Sequence, residues 1–181
     1  MKHFFLLFGL ALSLGAAEPE PDPKELPRIP YTPAKDARKT LTVKDGYDLQ
    51  LAASEPLVAD PIAMSFDASG RLYVVEMIGY SEHQDANAGR IRLLEDKNRD
   101  GKFEKSSIFA QGLAWPTAVI CYDGGVFVGV TPKILYLKDT NGDGKADINR
   151  TVFEGFGTGR SRLNVQAMFN SFRWGLDNRI H

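Results

Sequence analysis

An internal repeat of about 43 residues is the feature that most constrains how this chain can fold. Residues 91–102 (IRLLEDKNRDGK) align with residues 134–145 (ILYLKDTNGDGK). A second landmark, an aspartate-containing turn next to apolar residues, recurs at residues 66–73, 122–127 and 176–181. Repeats of roughly 40 to 55 residues that contain several short strands are typical of β-propeller blades. The repeat therefore predicts a chain built from successive copies of one β-rich unit.

Short segments rich in β-branched and aromatic residues alternate with turn signals along the repeat. No segment keeps a helical apolar stripe for more than about two turns. The sequence therefore predicts an all-β fold, a β-propeller present as an N-terminal fragment of about two to three blades. We expect the propeller to be incomplete at its C-terminus, because closed propellers need at least about four blades. The predicted strands are residues 47–52, 71–77, 90–94, 126–130, 134–137 and 151–153.

The chain divides into three predicted regions. Residues 1–17 combine a weakly basic start, an apolar run and small residues before Glu18, which is the pattern of a signal peptide. The apolar run is too short for a stable membrane span, although an uncleaved tether is the alternative. Six of the ten prolines fall within residues 19–33, so residues 18–39 are predicted to form an extended proline-rich linker. Residues 40–181 are the predicted propeller fragment, exported to the periplasm or the extracellular space.

Each copy of the repeat carries a loop with the pattern D-x-N-x-D-G-x-x-[DE], which is typical of calcium-binding loops. Oxygen atoms at positions 1, 3 and 5 can converge on one cation, glycine at position 6 allows the sharp turn, position 7 offers its carbonyl and position 9 adds a carboxylate. Both loops lack the bidentate glutamate at position 12, so we expect a hairpin-loop variant with weak affinity. The candidate metal residues are Asp96, Asn98, Asp100, Lys102 and Glu104 in the first loop, and Asp139, Asn141, Asp143, Lys145 and Asp147 in the second.

Charge distinguishes the two loops. Three basic residues offset three acidic ones in residues 96–104, whereas Lys145 alone opposes three aspartates in residues 139–147. The second loop is therefore the better candidate for calcium, in a structural rather than a catalytic role. The alternative is a metal-free turn at both places, because aspartate, asparagine and glycine also form such turns unaided.

Composition excludes some function classes. The 22 basic and 23 acidic residues nearly cancel and form no basic stripe, so we expect no nucleic-acid partner. The single Cys121 is most economically a small buried residue. Three weaker candidates for a site are Glu76, predicted to follow a strand and face a central cavity, His83 in a polar loop, and the glycine-rich, basic residues 155–162. A solvated histidine and a blade-connecting loop are the simpler interpretations of the last two.

Four stretches of the sequence resemble a known family. The chain is similar to the N-terminal propeller of the large secreted planctomycete and verrucomicrobial proteins named as membrane-bound dehydrogenases (PVC-type haem-binding proteins). That propeller in turn resembles those of sugar dehydrogenases that use pyrroloquinoline quinone. The stretches that carry the resemblance are residues 46–77 (GYDLQLAASEPLVADPIAMSFDASGRLYVVEM), 89–119 (GRIRLLEDKNRDGKFEKSSIFAQGLAWPTAV), 134–159 (ILYLKDTNGDGKADINRTVFEGFGTG) and 172–181 (FRWGLDNRIH).

The resemblance implies an exported, dehydrogenase-like protein that acts on a carbohydrate-type substrate when complete and passes electrons to a haem domain. In the complete molecule we expect substrate and cofactor to lie at the mouth of the central channel, on loops such as residues 78–89 and 155–170. It transfers no catalytic or quinone-binding residue to this chain, and the haem attachment motif C-x-x-C-H is absent from the sequence. We expect the fragment alone to be inactive, with the quinone bound only in the complete protein. The alternatives are a non-catalytic, calcium-stabilised propeller that binds glycan or protein at the cell surface, and an inactive truncated product.

Overall fold

The computed structural model describes residues 22, 24, 29–157 and 165–181. The chain separates into two compact units at Pro33, and the fold below is that of the second unit, residues 34–181. This unit opens with a short helix α1 (Ala34–Ala37) and a 3₁₀ turn (Arg38–Thr40). These helical residues replace the last part of the predicted extended linker, because the proline-rich run ends at Pro33 and alanine favours helix.

The described residues form eight strands in two four-stranded antiparallel sheets, which follow one another along the chain. Within each sheet the strands lie in sequence order, so consecutive strands are neighbours. The first sheet contains β1 (Pro61–Phe66), β2 (Leu72–Glu76), β3 (Gly89–Glu95) and β4 (Lys105–Leu113). The second sheet contains β5 (Ala118–Tyr122), β6 (Gly125–Val130), β7 (Lys133–Lys138) and β8 (Ile148–Glu154).

The hydrophobic core lies between the two sheets, and β1 contacts β5 across it. Successive strand residues face opposite sides of a sheet, so each of the central strands supplies this core with alternate side chains. Tyr73 and Phe109 meet edge to face with ring centroids 4.9 Å apart. The buried members are Tyr73, Val75, Ile91, Leu93, Phe109 and Leu113 from the first sheet, and Val119, Val126, Val128 and Leu137 from the second.

Alternate loops emerge at opposite ends of the sheets. Residues 67–71, between β1 and β2, and the turn between β5 and β6 line one small cavity, so they lie at the same end. Asp123 and Gly124 both have positive φ in that turn, at 47° and 72°, as a two-residue hairpin requires. Because the strands are antiparallel, the loops 96–104 and 139–147 also belong to this end, which we call the acidic-loop end. The connections 77–88, 114–117 and 131–132 lie at the other end, the cavity end.

The outer face of the first sheet is covered by the chain that precedes it. Leu72, Val74, Leu94 and Phe103 form a second, smaller core there, and Ala53 and Val58 pack against it. Hydrogen bonds to the first sheet hold this covering segment, residues 52–60, in place, among them two to residues 103–106. The N–H of Phe103 donates to the carbonyl of Ala52 at 2.9 Å, and the Ser106 hydroxyl donates to the carbonyl of Leu57 at 2.6 Å.

The all-β prediction is confirmed, although individual strands differ from it. The predicted strand at residues 47–52 is wrong, because that segment pairs with no neighbouring strand among the described residues and instead leads into the covering segment. β1, β4 and β5 were not predicted as strands. No helix in the described part of the chain is long and apolar enough to cross a membrane.

Candidate functional site

The two acidic loops share one hydrogen-bonding scheme. In the second loop the Asp139 carboxylate accepts the N–H groups of Asn141, Gly142 and Gly144 at 3.2, 2.7 and 2.8 Å. In the first loop the Asp96 carboxylate accepts those of Arg99, Asp100 and Gly101 at 2.6, 3.3 and 2.9 Å. The aspartate at position 1 therefore organises each turn from inside through three hydrogen bonds.

Positions 3 and 5 repeat the same pattern one step further on. In residues 139–147 the Asn141 side-chain oxygen accepts the N–H of Asp143 at 2.9 Å, and the Asp143 carboxylate accepts the N–H of Lys145 at 2.8 Å. The equivalent two distances in residues 96–104 are both 2.9 Å. The predicted candidates at positions 1, 3, 5 and 7 therefore lie around one turn in each loop.

The two loops differ in the contacts made by the residue at position 9. The Asp147 carboxylate accepts both the N–H and the hydroxyl of Thr140, at 3.1 and 2.8 Å, and so remains beside position 2. Glu104 accepts the N–H of Lys97 at 3.0 Å, but its longer side chain also brings a carboxylate oxygen close to Asp96 and Asp100. Oxygen atoms of these three acids all lie within 4.8 Å of one another. Among the described residues, this is the one group of three or more acidic, histidine or cysteine side chains close enough to hold an ion.

Geometry and charge therefore favour different loops. The first loop gathers three carboxylates, but three basic residues neutralise it, whereas the second loop keeps its excess of negative charge. Partial burial raises the pKa of Asp139, but the N–H groups of Gly144, Gly142 and Asn141 outweigh burial and leave the pKa below its usual value. The Asp139 carboxylate is thus held in its charged form, as a cation ligand must be.

The second loop also joins the two sheets. The N–H of Ala146 donates to the carbonyl of Phe109 in β4 at 2.8 Å. A side chain added at Gly144 would contact the Ser107 hydroxyl at 3.5 Å, so this loop lies directly on the edge strand of the first sheet. Its position suits a structural role at the junction between the sheets.

A cavity of about 480 Å³ opens at the cavity end of the molecule. Its walls come from the start of β1, the loop after β2, the residue before β5 and the chain after residue 164. None of its described lining side chains carries a charge. The lining residues are Ile62, Ala63, Met77, Tyr80, Thr117, Val165, Gln166, Met168, Asn170 and Ser171.

Two features give this cavity a defined polar and aromatic wall. Tyr80 is half exposed and packs edge-on against the buried Trp115, with ring centroids 5.4 Å apart. The Thr117 hydroxyl donates to the carbonyl of Phe169 at 2.7 Å, which fixes the backbone just before Asn170 and Ser171. Those two side chains make no hydrogen bond to other described residues, so their polar groups are available to a ligand.

Glu76 differs from its predicted placement. It is the last residue of β2 rather than a residue after the strand, and its side chain is fully buried instead of facing a cavity. The carboxylate accepts the N–H of Ala59 at 2.7 Å and pairs with Arg90 and Arg92 on β3. The prediction was wrong because residues 52–60 cover this face, and the order of residues along β2 does not reveal that cover.

Two other candidates behave as the simpler interpretations expect or lie beyond description. His83 is exposed and precedes the 3₁₀ helix Gln84–Ala86. Residues 158–162 of the glycine-rich candidate segment, and the whole predicted signal peptide, lie outside the described residues. Tyr80 and Asn170 lie in residues 78–89 and 155–170, the two loops where a site was expected, and Ser171 lies just beyond the second. None of the three was singled out, since isolated polar residues in a loop carry no pattern.

Residues 33–181 match the protein family described as Domain of unknown function (DUF7133). The chain belongs to this family. The match begins seven residues before the predicted start of the globular region at residue 40, in agreement with the helical turn that opens the second unit at Ala34. No curated protein matches the chain.

Proposed function

We propose that residues 34–181 form consecutive blades of a β-propeller in an exported, dehydrogenase-like protein. Three features support a propeller. Each sheet is a four-stranded antiparallel meander, as a blade is. The first strands of the two sheets contact each other, as innermost strands do around a propeller axis. The first sheet packs on the second through one face, and the second sheet packs on the first through the face that corresponds to the other side of the repeat. Successive blades stack in this way.

A turn near residue 177 supports the same proposal. In the first sheet, the N–H of Asp67 donates to the carbonyl of Arg71 at 3.0 Å, and the N–H of Gly70 donates to the carbonyl of Asp67 at 3.1 Å. After residue 172 the same two bonds recur, from Gly175 to Arg179 at 2.8 Å and from Asn178 to Gly175 at 3.2 Å. An isolated bridge between Trp174 and Ile180 flanks this turn. The turn that follows β1 in the first sheet therefore recurs here, as the start of a further blade would require.

The proposed function rests on the 480 Å³ cavity described above. Carbohydrates present hydroxyl groups and apolar C–H faces, so their sites combine amides and hydroxyls with an aromatic ring. Tyr80, Asn170 and Ser171 supply those three groups at one cavity. The uncharged lining favours a neutral, carbohydrate-type substrate. We propose that this cavity is one wall of its binding site.

The quinone cofactor implied by the resemblance does not fit the described residues of this cavity. Pyrroloquinoline quinone carries several carboxylates, which need cationic partners, and no described lining residue is basic. We therefore derive no redox step from these residues. Calcium fits better, since both acidic loops present the oxygen ligands that this ion prefers. We propose calcium as a structural ion at residues 139–147 or 96–104.

The proposed carbohydrate site is tested by ligand-observed NMR with a panel of neutral mono- and oligosaccharides. We expect at least one sugar to receive saturation from the chain, and Tyr80→Ala and Asn170→Ala to reduce the signal about tenfold. Tyr47→Ala is the matched control, because Tyr47 is also exposed and does not line this cavity. Binding that survives both cavity substitutions, or no binding by any sugar, would remove this proposal.

A non-catalytic binding module is the second candidate. The observation in its favour is that the described lining of the cavity contains no carboxylate, histidine, lysine or cysteine, and that Tyr80 is its one side chain able to transfer a proton. Oxidation of the bound sugar distinguishes the two functions. We expect no dye reduction from this chain alone, so the assay uses a longer protein that contains this region. Dye reduction by that protein with added calcium and quinone supports the dehydrogenase, whereas tight binding without dye reduction supports the module.

A further inference from the structure

A buried charged cluster on the outer face of the first sheet has one positive charge in excess. Glu76 at the end of β2 lies directly across from Arg90 on β3, and Arg92 lies two residues further along the same face. Both guanidinium groups pair with the single Glu76 carboxylate. No other described carboxylate lies within ion-pairing distance of either arginine. Two cations and one anion leave the cluster with a net charge of about +1 at neutral pH.

The geometry of the pairing leaves the same part of both arginines unused. Arg92 donates through Nε to both oxygens of Glu76 at 3.2 Å, and Arg90 also donates through Nε. The Nη atoms of both residues make no hydrogen bond to other described residues. The paired Nη atoms are the edge of a guanidinium group that binds carboxylates through two parallel hydrogen bonds.

The cluster is poorly hydrated. The Glu76 side chain is 0% exposed, and those of Arg90 and Arg92 are 24% and 15% exposed. A partly buried charge that lacks a counterion is unfavourable, because water no longer solvates it fully. The remaining exposure leaves part of each arginine side chain in contact with solvent.

The repeated fold does not require these charges. The residues of the second sheet that correspond to Glu76, Arg90 and Arg92 are Val130, Lys133 and Leu135. Val130 and Leu135 pack against the core between the sheets. Replacement of a buried ion-pair triad by apolar residues is often neutral or stabilising, so stability alone does not explain the cluster in the first sheet.

We propose that the Nη edges of Arg90 and Arg92 together bind the carboxylate of a monoanion. One carboxylate would neutralise the excess charge and would satisfy the donors that Glu76 leaves unpaired. The carboxylate belongs either to a small acid in solution or to an acidic side chain of another protein. This site is separate from the cavity, so it does not depend on the proposed carbohydrate binding.

The test is a titration of the whole chain with sodium acetate, followed through the Nε–H resonances of arginine at constant ionic strength. We expect the Arg90 and Arg92 signals to shift along one saturable curve, with no such shift when chloride replaces acetate. Arg71 is the internal control, because its guanidinium already pairs one-to-one with Asp67 at 2.7 Å and should not respond. Signals that do not move, or that move equally with chloride, would overturn the proposal.

A variant and a peptide complete the experiment. Arg92→Lys keeps the charge but removes the paired donors, so acetate affinity should fall about tenfold. Unchanged affinity would contradict the proposed geometry. If this variant does not fold, the titration of the parent chain still decides. A blocked tripeptide with a central glutamate identifies the source: tighter binding than acetate assigns a protein side chain, and weaker binding assigns a small acid.

Discussion

The two acidic loops have nearly the same backbone and different electrostatics. Position 1 accepts three N–H groups in both, and positions 3 and 5 each accept the N–H two residues ahead. They differ at position 4, which is Arg99 in the first loop and Gly142 in the second, and at position 9, which is Glu104 or Asp147. The comparison shows that the turn itself depends on aspartate and asparagine at fixed positions. Ion binding also depends on close carboxylates, which the first loop has, and on an excess of negative charge, which the second loop has.

The largest difference that we expect concerns the aspartate at position 1. Asp139→Ala removes the acceptor of three N–H groups and weakens the loop that joins the two sheets, so it should lower the free energy of unfolding by about 1–2 kcal/mol, as loss of a helix cap does. Asp96→Ala breaks an equivalent network, but its loop contacts the covering segment instead of a second sheet, so the loss should be smaller. Urea unfolding of both variants measures the difference. A larger loss in Asp96→Ala would reverse our assignment of the structural role.

The second largest difference that we expect between the two loops is in their stabilisation by calcium. At calcium concentrations about ten times the dissociation constant, binding to the native state adds about 1.4 kcal/mol, which raises the melting temperature by about 3–6 °C. For hairpin loops of this kind we expect millimolar concentrations to be needed. Asp143→Ala should abolish the increase, and Asp100→Ala, the matched change in the first loop, should leave it.

Calorimetry with and without calcium decides among three results. Loss of the shift in Asp100→Ala alone would show that the three gathered carboxylates matter more than net charge. The absence of any shift in the parent chain would make both loops plain turns.

Exchange of the residues at position 4 should give a smaller effect. Arg99 has φ of 61°, a left-handed conformation that a side chain makes unfavourable, whereas Gly142 adopts φ of 80° without such strain. Arg99→Gly should therefore stabilise the chain by about 0.5–1 kcal/mol, and Gly142→Arg should destabilise it by a similar amount. Thermal unfolding in calcium-free buffer measures both. Destabilisation by Arg99→Gly would show that the Arg99 side chain contributes more than its backbone strain removes.

The smallest expected effect is on the pH dependence of stability. The lowered pKa of Asp139 means that the native state binds its proton less tightly than the unfolded chain does. This contribution to stability is present above the unfolded pKa and disappears as pH falls through the folded pKa. Asp139→Asn should therefore flatten the acid limb of stability below about pH 4. Parallel acid limbs in the parent and the variant would contradict this.

The sequence was most informative where a pattern was periodic. The repeat at residues 91–102 and 134–145 correctly located β3, β7 and both acidic loops, since turn chemistry is local. Residues 47–52 alternate like a strand, but their fate depends on a partner strand, which local pattern does not specify. β1 was missed because its burial is slight and Pro61 begins it.

The sites show the same limit. The hydrogen-bond acceptors that shape the acidic loops were predictable from nine consecutive residues. For the cavity, the loops 78–89 and 155–170 were expected, but the individual lining residues were not, because Tyr80, Thr117 and Asn170 come from three connections that only the stacked sheets bring together. The Arg90–Glu76 pair was also missed, although opposite charges on neighbouring strands are a usable signal once the pairing of β2 with β3 is known.

The covering segment has a consequence for the order in which the chain becomes structured. Ala52 and Leu57 are synthesised about fifty residues before their hydrogen-bonding partners Phe103 and Ser106. They therefore cannot form these hydrogen bonds until β3 and β4 have been synthesised and have formed. Closure of so long a loop is slow compared with the pairing of adjacent strands, so residues 52–60 should join the structure after the first sheet. The same residues should therefore be the last to gain hydrogen-exchange protection during folding and the first to lose it during unfolding.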